Sequence, residues 1–242
     1  MKKKFLAIVL SAGVVISLFT GCAQKQEKTA NENTNVTESA NKKIYTRPEG
    51  VNSDDAKKLL IEGNKRFVSG NVLGEDISKD NLKKLSTGQK PFAVVISCSD
   101  SRVDPETVFD QGLGDLFVVR DAGNVVDKVT LGSIEYGAEH LNAPLIVVLG
   151  HENCGAVKAT VDKSKVSDNI QGIIDKINIS LKTVEAKNTS KDKIYQEVED
   201  ANIKNTISEI EKDPTIEELV KENKVKVVGA KYHIETGEIV FE

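Results

Sequence analysis

The sequence predicts an α/β fold: a mainly parallel β-sheet flanked by helices. Two observations carry this expectation. Continuous apolar, β-branched runs recur at residues 92–96, 116–119 and 145–149, the pattern of strands covered on both faces. Stretches with helical spacing separate and follow those runs, as in βαβ units. Sheets of this kind bind ligands beyond the carboxyl ends of their strands, so the residues just after Ile96 and Leu149 are where chemistry is expected.

The first 50 residues stand apart from this pattern. Lys2, Lys3 and Lys4 precede an apolar run over 5–19, followed by Thr20, Gly21 and Cys22. A basic start, a short apolar stretch and small residues before a break describe a secretory signal over 1–21. The run is shorter than the ~20 residues that cross a bilayer as a helix. Residues 22–50 are rich in Asn, Thr, Glu and Lys and cannot bury enough surface to offset their ordering entropy, so they read as a tether. The folded domain is expected over 51–242, enough for one well-buried core.

Within that domain, Asp54 or Asp55 is expected to cap a helix running to Val68. Its apolar positions are Ala56, Leu59, Leu60 and Phe67, and Gly70 is the stop. A weaker helix follows over 81–85, then a break over 87–91 and the first strand. After the second strand comes a helix over 130–141, then the third strand and a helix beginning at Gly155. Two charged, amphipathic segments over 168–185 and 193–210 read as helices. Residues 224–230 and 238–241, around Thr236 and Gly237, read as a hairpin or two late strands. The formal net charge is −4, and no basic stripe suits nucleic acid.

Three cysteines are present. With Cys22 assigned to the end of the signal, Cys98 and Cys154 remain, and the default for two cysteines in an exported chain is a disulfide. Their neighbours argue for another use. Cys98 lies two residues past Ile96, and His151 lies two past Leu149. The spacing His151-x-x-Cys154 lets one turn present two ligands to one ion. Two thiolates and an imidazole are a zinc set that keeps a fourth position open for chemistry. Asp100 and Arg102 sit two apart in the same string as Cys98, so the guanidinium can fix the carboxylate. Taken alone, such a pair is a surface salt bridge of under about 1 kcal/mol. Beside a metal, it orients a catalytic carboxylate.

Two resemblances sharpen these readings. The end of the signal resembles the lipobox of bacterial lipoproteins, with Phe19 where that box usually has Leu. This implies lipidation at Cys22 and a membrane anchor on the extracytoplasmic side, the alternative being a plain signal peptide. The strings Cys98-Ser-Asp-Ser-Arg102 and His151-Glu-Asn-Cys154 resemble the paired signature of the β-class carbonic anhydrases. Further similar segments are Leu60 to Phe67, Gly88 to Pro91, Gly114 to Arg120, Ala122 to Asn124, Ser133 to Tyr136 and Gly155 to Val157. The likeness spans roughly 53–242.

The resemblance implies one Zn2+ per chain on Cys98, His151 and Cys154, with Asp100 and Arg102 as the catalytic dyad. It further implies reversible hydration of carbon dioxide to bicarbonate and a proton by zinc-bound hydroxide. Gln89 would hydrogen-bond a substrate oxygen, and Phe117, Ala122, Tyr136 and Gly155 would line the pocket, some of them from a partner subunit. A homodimer or tetramer is expected. Asp121 departs from the family, whose members usually carry Asn there, and would place a further carboxylate near the anionic product. His140 and His233 are expected to be structural or exposed. The competing readings are a non-catalytic zinc- or solute-binding surface lipoprotein and an inactive relative with Cys98 and Cys154 oxidised.

Overall fold

The computed structural model describes residues 43, 44, 46 and 48–242. The expected signal segment, Cys22 and most of the expected tether lie outside those residues. Ile44, near the end of that segment, forms an isolated bridge with Gly74.

Five strands form one sheet in the order β2-β1-β3-β4-β5. They are β1 (Ala93–Ser97), β2 (Leu116–Arg120), β3 (Leu145–His151), β4 (Lys226–Tyr232) and β5 (Ile239–Phe241). The first four run parallel, and β5 returns antiparallel on β4. Every residue of β1 and β3 is buried, as continuous apolar runs require at the centre of a sheet covered on both faces. The expected strands are all present. The boundaries shift: β1 runs to Ser97, β4 spans Lys226–Tyr232 and not 224–230, and β3 continues to His151, which pairs with Tyr232, so this ligand candidate is the last residue of its strand and not two residues beyond it.

Two apolar layers sandwich the sheet. One joins Ala56 and Leu60 of α1 (Ser53–Val68) to Val95, Val147 and Leu149. The other joins Ile134 of α4 (Lys128–Glu135), Ile203 and Ile210 of α7 (Ile194–Glu211) and Ile216 of α8 (Pro214–Lys221) to Val94, Ile96, Ile146 and Val148. Helix α7 comes close to the sheet because Gly150 and Gly229 face it. A Cβ on Gly150 would meet Ile203 at 2.5 Å, and one on Gly229 would meet it at 2.9 Å. Among the described residues the remaining α-helices are α2 (Lys79–Leu85), α3 (Pro105–Val108), α5 (Gly155–Val161) and α6 (Asp168–Glu185).

Helix starts differ from the expectation: α2 begins at Lys79, capped by Ser78, and not at Asn81. The cap of α1 is Asn52, whose Oδ1 accepts from the backbone N–H groups of Asp54 and Asp55, so these acids occupy the first turn and not the cap. The helix expected over 130–141 begins at Lys128, capped by Asp127. After Glu135 it widens into a π turn over Tyr136–His140. Gly137 in that turn lies against β1 and β2, where a Cβ would meet Val94 at 2.6 Å and Phe117 at 3.1 Å.

Candidate metal centre

Cys98, His151 and Cys154 come together at the carboxyl edge of the sheet, their ligand atoms all within 4.8 Å of one another. Cys98 follows β1 directly, and its neighbour β3 delivers His151. Asn153 adopts a left-handed conformation (φ 55°), which Asn tolerates better than most residues. It turns the chain so that Cys154 faces the same point at the start of α5. All three residues are buried, and both cysteines are free. The disulfide alternative is therefore not the arrangement seen.

The donor set fits zinc. His151 Nε2 is buried with no hydrogen-bond partner, while Nδ1 lies 2.8 Å from the backbone oxygen of Glu152. A bond from Nδ1–H to that carbonyl fixes the tautomer that leaves Nε2 free as a ligand. The two sulfurs differ. The Cys154 thiol hydrogen-bonds Cys98, which, with help from His151 and the Gly123 N–H, draws Cys98 down to about 4 against the effect of burial. Cys154 is pushed up by that same bond and by burial. A bound cation favours the thiolate form of both sulfurs. Burial disfavours imidazolium at His151, but the neighbouring Cys98 sulfur and its charge outweigh it and raise its pKa.

Asp100 and Arg102 form a two-pronged pair beside the centre. Arg102 Nε donates to Oδ1 at 2.9 Å and Nη2 donates to Oδ2 at 2.7 Å, while the Arg102 backbone N–H also reaches Oδ1. Oδ2 lies 4.0 Å from His151 Nε2. The Arg102 hydrogen bonds hold the Asp100 carboxyl far below the usual carboxylate range. Arg102 Nη2 also reaches the Asn153 carbonyl at 3.3 Å, linking the two ligand strings.

Of the pocket residues implied by resemblance, Ala122 lies in the 3-10 turn Ala122–Asn124 beside Cys98, and Gly155 follows Cys154. Gln89, Phe117 and Tyr136 are elsewhere. Gln89 precedes β1, and Phe117 pairs with Val94 near the amino end of that strand. That is three residues, or ~10 Å, from Ser97 at 3.3 Å per residue. The Tyr136 ring packs 6.1 Å from Phe117 and is 48% exposed. One chain therefore does not bring these three to the metal centre.

Asp121 is tied down as well: Thr130 donates to its Oδ2 at 2.7 Å. Of the other two histidines, His140 is exposed and stacks near Tyr136. His233 is only partly exposed and lies 2.7 Å from Glu152 Oε1.

Two features of the site are not among the sequence expectations. Arg120, paired in register with Ser97, donates to the carbonyls of Cys98 and Asp100 at 3.2 and 2.8 Å, and so shapes the ligand loop. A cation at the end of a strand flanking β1 is the signal that points to it. The other is a polar stripe on α7 behind the site.

Comparisons with known proteins agree with this geometry. A family model described as carbonic anhydrase matches residues 93–239. Carbonic anhydrase 2 of Mycobacterium tuberculosis is 39% identical over 190 residues, covering 76% of this chain and 90% of that protein. A carbonic anhydrase of Mycolicibacterium smegmatis is 40% identical over 189 residues, with the same coverage. Among solved structures, a tetrameric β-carbonic anhydrase of Sordaria macrospora is 27% identical with a TM-score of 0.62, covering 66% of this chain and 84% of that one. A Coccomyxa β-carbonic anhydrase, solved with acetazolamide, is 26% identical at the same TM-score, covering 75% and 84%.

Proposed function

The chain belongs to the β-class carbonic anhydrase family, and on that premise we propose how its residues divide the reaction and where it takes place. The activity is the zinc-dependent, reversible hydration of carbon dioxide to bicarbonate and a proton. The observation that carries it is the buried Cys98–His151–Cys154 cluster with the Asp100–Arg102 pair against its open side.

Cys98, His151 and Cys154 hold the metal. Bound there, zinc supplies Lewis acidity that makes water a nucleophile near neutral pH, a chemistry for which carbonic anhydrases are the general example. Two thiolates weaken that acidity relative to imidazoles, so the surroundings have to help. Asp100, kept ionised by Arg102, has no proton to give and only accepts hydrogen bonds. It therefore favours a donor such as water next to the centre and repels an anion, which speeds the departure of bicarbonate. Arg102 is the positioning partner that stops the carboxylate from swinging. Gly155 leaves open space beside Cys154, since a Cβ there would touch nothing within 4 Å.

Gln89, Phe117 and Tyr136 act on the site of a second copy, in a dimer or a tetramer. Their separation from the metal centre within one chain supports this reading, as does the tetrameric relative from Sordaria macrospora. The amino-terminal residues give the location: export through the signal over 1–21 and anchoring to the extracytoplasmic face of a membrane through lipid on Cys22. The support is the basic start, the short apolar run and the small residues before Cys22. Labelled palmitate should enter the full chain and not a Cys22→Ala variant. Equal labelling of the two would overturn the anchor.

The test of the activity is stopped-flow hydration of carbon dioxide by the zinc-loaded protein beside Cys98→Ser. A rate well above background for the first only is the expected outcome. Equal, negligible rates for both would overturn the enzyme reading.

A further inference from the structure

Helix α7 presents a face that is apolar at Ile203 and Ile210 yet polar at Glu199, Asn202 and Thr206. These three are 5%, 1% and 2% exposed. Burying a carboxylate, an amide and a hydroxyl is unfavourable unless each is hydrogen-bonded. Each finds a backbone partner at Cys154 or in the Ala122–Asn124 turn beside Cys98, while Asn202 Oδ1 stays buried without one. Glu199 Oε1 accepts from the Cys154 N–H at 3.3 Å. Asn202 Nδ2 donates to the Gly123 carbonyl at 2.7 Å, and Thr206 Oγ1 donates to the Asn124 carbonyl at 3.1 Å. Gly123 in turn donates its N–H to Cys98 Sγ at 3.2 Å. One helix face thus reaches Cys154 through its own backbone N–H and the Cys98 sulfur through one intervening residue, Gly123.

The charge of Glu199 is met from the sheet. Lys231 Nζ of β4 lies 3.0 Å from Glu199 Oε2 and 2.7 Å from Asp200 Oδ1, with only 11% of its side chain exposed. Burial would discharge this lysine, but the two carboxylates outweigh that and raise its pKa. A desolvated ion pair is a poor source of net stability beside an apolar pair of the same shape. Its value here is the direction it imposes: Lys231 fixes one oxygen of Glu199 and leaves the other on Cys154.

We propose that Glu199 and Asn202 are positioning residues for the metal, forming with Thr206 a clamp that sets the separation and orientation of the Cys98 and Cys154 sulfurs. The proposal rests on the zinc reading of the cluster. It assigns work to the residues behind the ligands, which the ligand signature does not mention. Loss of such a supporting contact in metal sites costs roughly 10–100-fold in metal affinity.

The test follows zinc release to a chromogenic chelator and the visible spectrum of the cobalt(II)-substituted protein, with melting of the metal-free protein as a control. Glu199→Ala and Asn202→Ala should release zinc roughly 10–100-fold faster and shift the cobalt bands. Glu199→Gln keeps an acceptor for the Cys154 N–H and should restore most of the retention and the spectrum. Ile210→Ala, on the same face but away from the loops, should lower the melting temperature while leaving release and spectrum as in the parent. Where a truncation does not fold, Asn202→Leu, close in shape, takes its place with the same expectation. Parent-like release and spectra in the Glu199 and Asn202 variants would overturn the clamp, as would changes no larger than those of Ile210→Ala. Failure of the parent itself to take up one metal per chain would overturn the zinc reading, and the clamp with it.

Discussion

The two edges of the sheet are built on opposite principles. At the carboxyl edge, Cys98, His151 and Cys154 are buried, and hydrogen bonds tie their loops to Arg120, Arg102 and helix α7. At the amino edge, Gln89 and Tyr136 are exposed, and the half-buried Phe117 has the Tyr136 ring 6.1 Å away. The first edge is finished within one chain, and the second is left open. The difference teaches that holding a metal needs rigidity from a chain's own core, whereas lining a pocket for a small apolar gas needs only surfaces that another copy can supply.

The largest effect should come from the finished edge. Cys98→Ser removes a thiolate that no neighbour replaces, so metal content by mass spectrometry should fall from one per chain to near zero. Carbon dioxide hydration should fall by at least ~10³-fold, several kcal/mol of transition-state stabilisation. Retention of zinc with parent-like activity would show that the cluster is not the metal site. Next in size is Asp100→Asn. It keeps the shape and the metal but loses the charge, and should slow turnover roughly 10²-fold, the scale of losing one charge-assisted hydrogen bond of about 2.7 kcal/mol. Unchanged turnover would remove the dyad from the mechanism.

The same contrast explains which features are legible in the amino-acid sequence. Cys98, His151, Cys154, Asp100 and Arg102 are legible because ligand chemistry sits in short strings directly after apolar runs, and the sheet brings the ends of β1 and β3 together. The α6 boundaries are legible from charge pattern and spacing. The cap at Asn52 is not, because Asp54 and Asp55 beside it carry the same signal. The π turn at Tyr136–His140 is hidden because its cause is tertiary, the close approach of Gly137 to Val94 and Phe117. The stripe on α7 is obscured for a related reason: Glu199, Asn202 and Thr206 resemble a solvated face until their spacing is set against Ile203 and Ile210 on the same side. The partner of His233 is equally invisible, since Glu152 is 81 residues away.

A third measurement asks whether the open edge serves another copy. Gln89→Ala should keep its zinc and lose about tenfold in hydration rate, the worth of one hydrogen bond of roughly 1.4 kcal/mol. Cys98→Ser keeps Gln89 but lacks the metal. If the pocket is shared, co-refolded mixtures of the two variants contain sites with zinc from one chain and Gln89 from the other. Their activity should then exceed that of either variant by more than the average of the two. Activity equal to that average would place Gln89 in the service of its own chain and break the contrast between the edges.

The smallest effect concerns pH, where the sign follows from the Asp100–Arg102 pair. Arg102 lowers the folded pKa of Asp100, so the carboxylate stays ionised well below the usual carboxylate range. Any stability it contributes is complete above that range and is lost progressively as pH falls from there through the lowered folded value. Asp100 therefore does not set the acid limb of activity. That limb belongs to the ligands, since protons compete with the metal for thiolates and imidazole. Accordingly, kcat/KM in Asp100→Asn should be lower at every pH while its acid midpoint stays where the parent has it, and that midpoint should coincide with zinc release. A midpoint that moves with Asp100→Asn while zinc stays bound would mean that the carboxylate titrates in the working range. Arg102 would then not hold it as the two-pronged geometry requires.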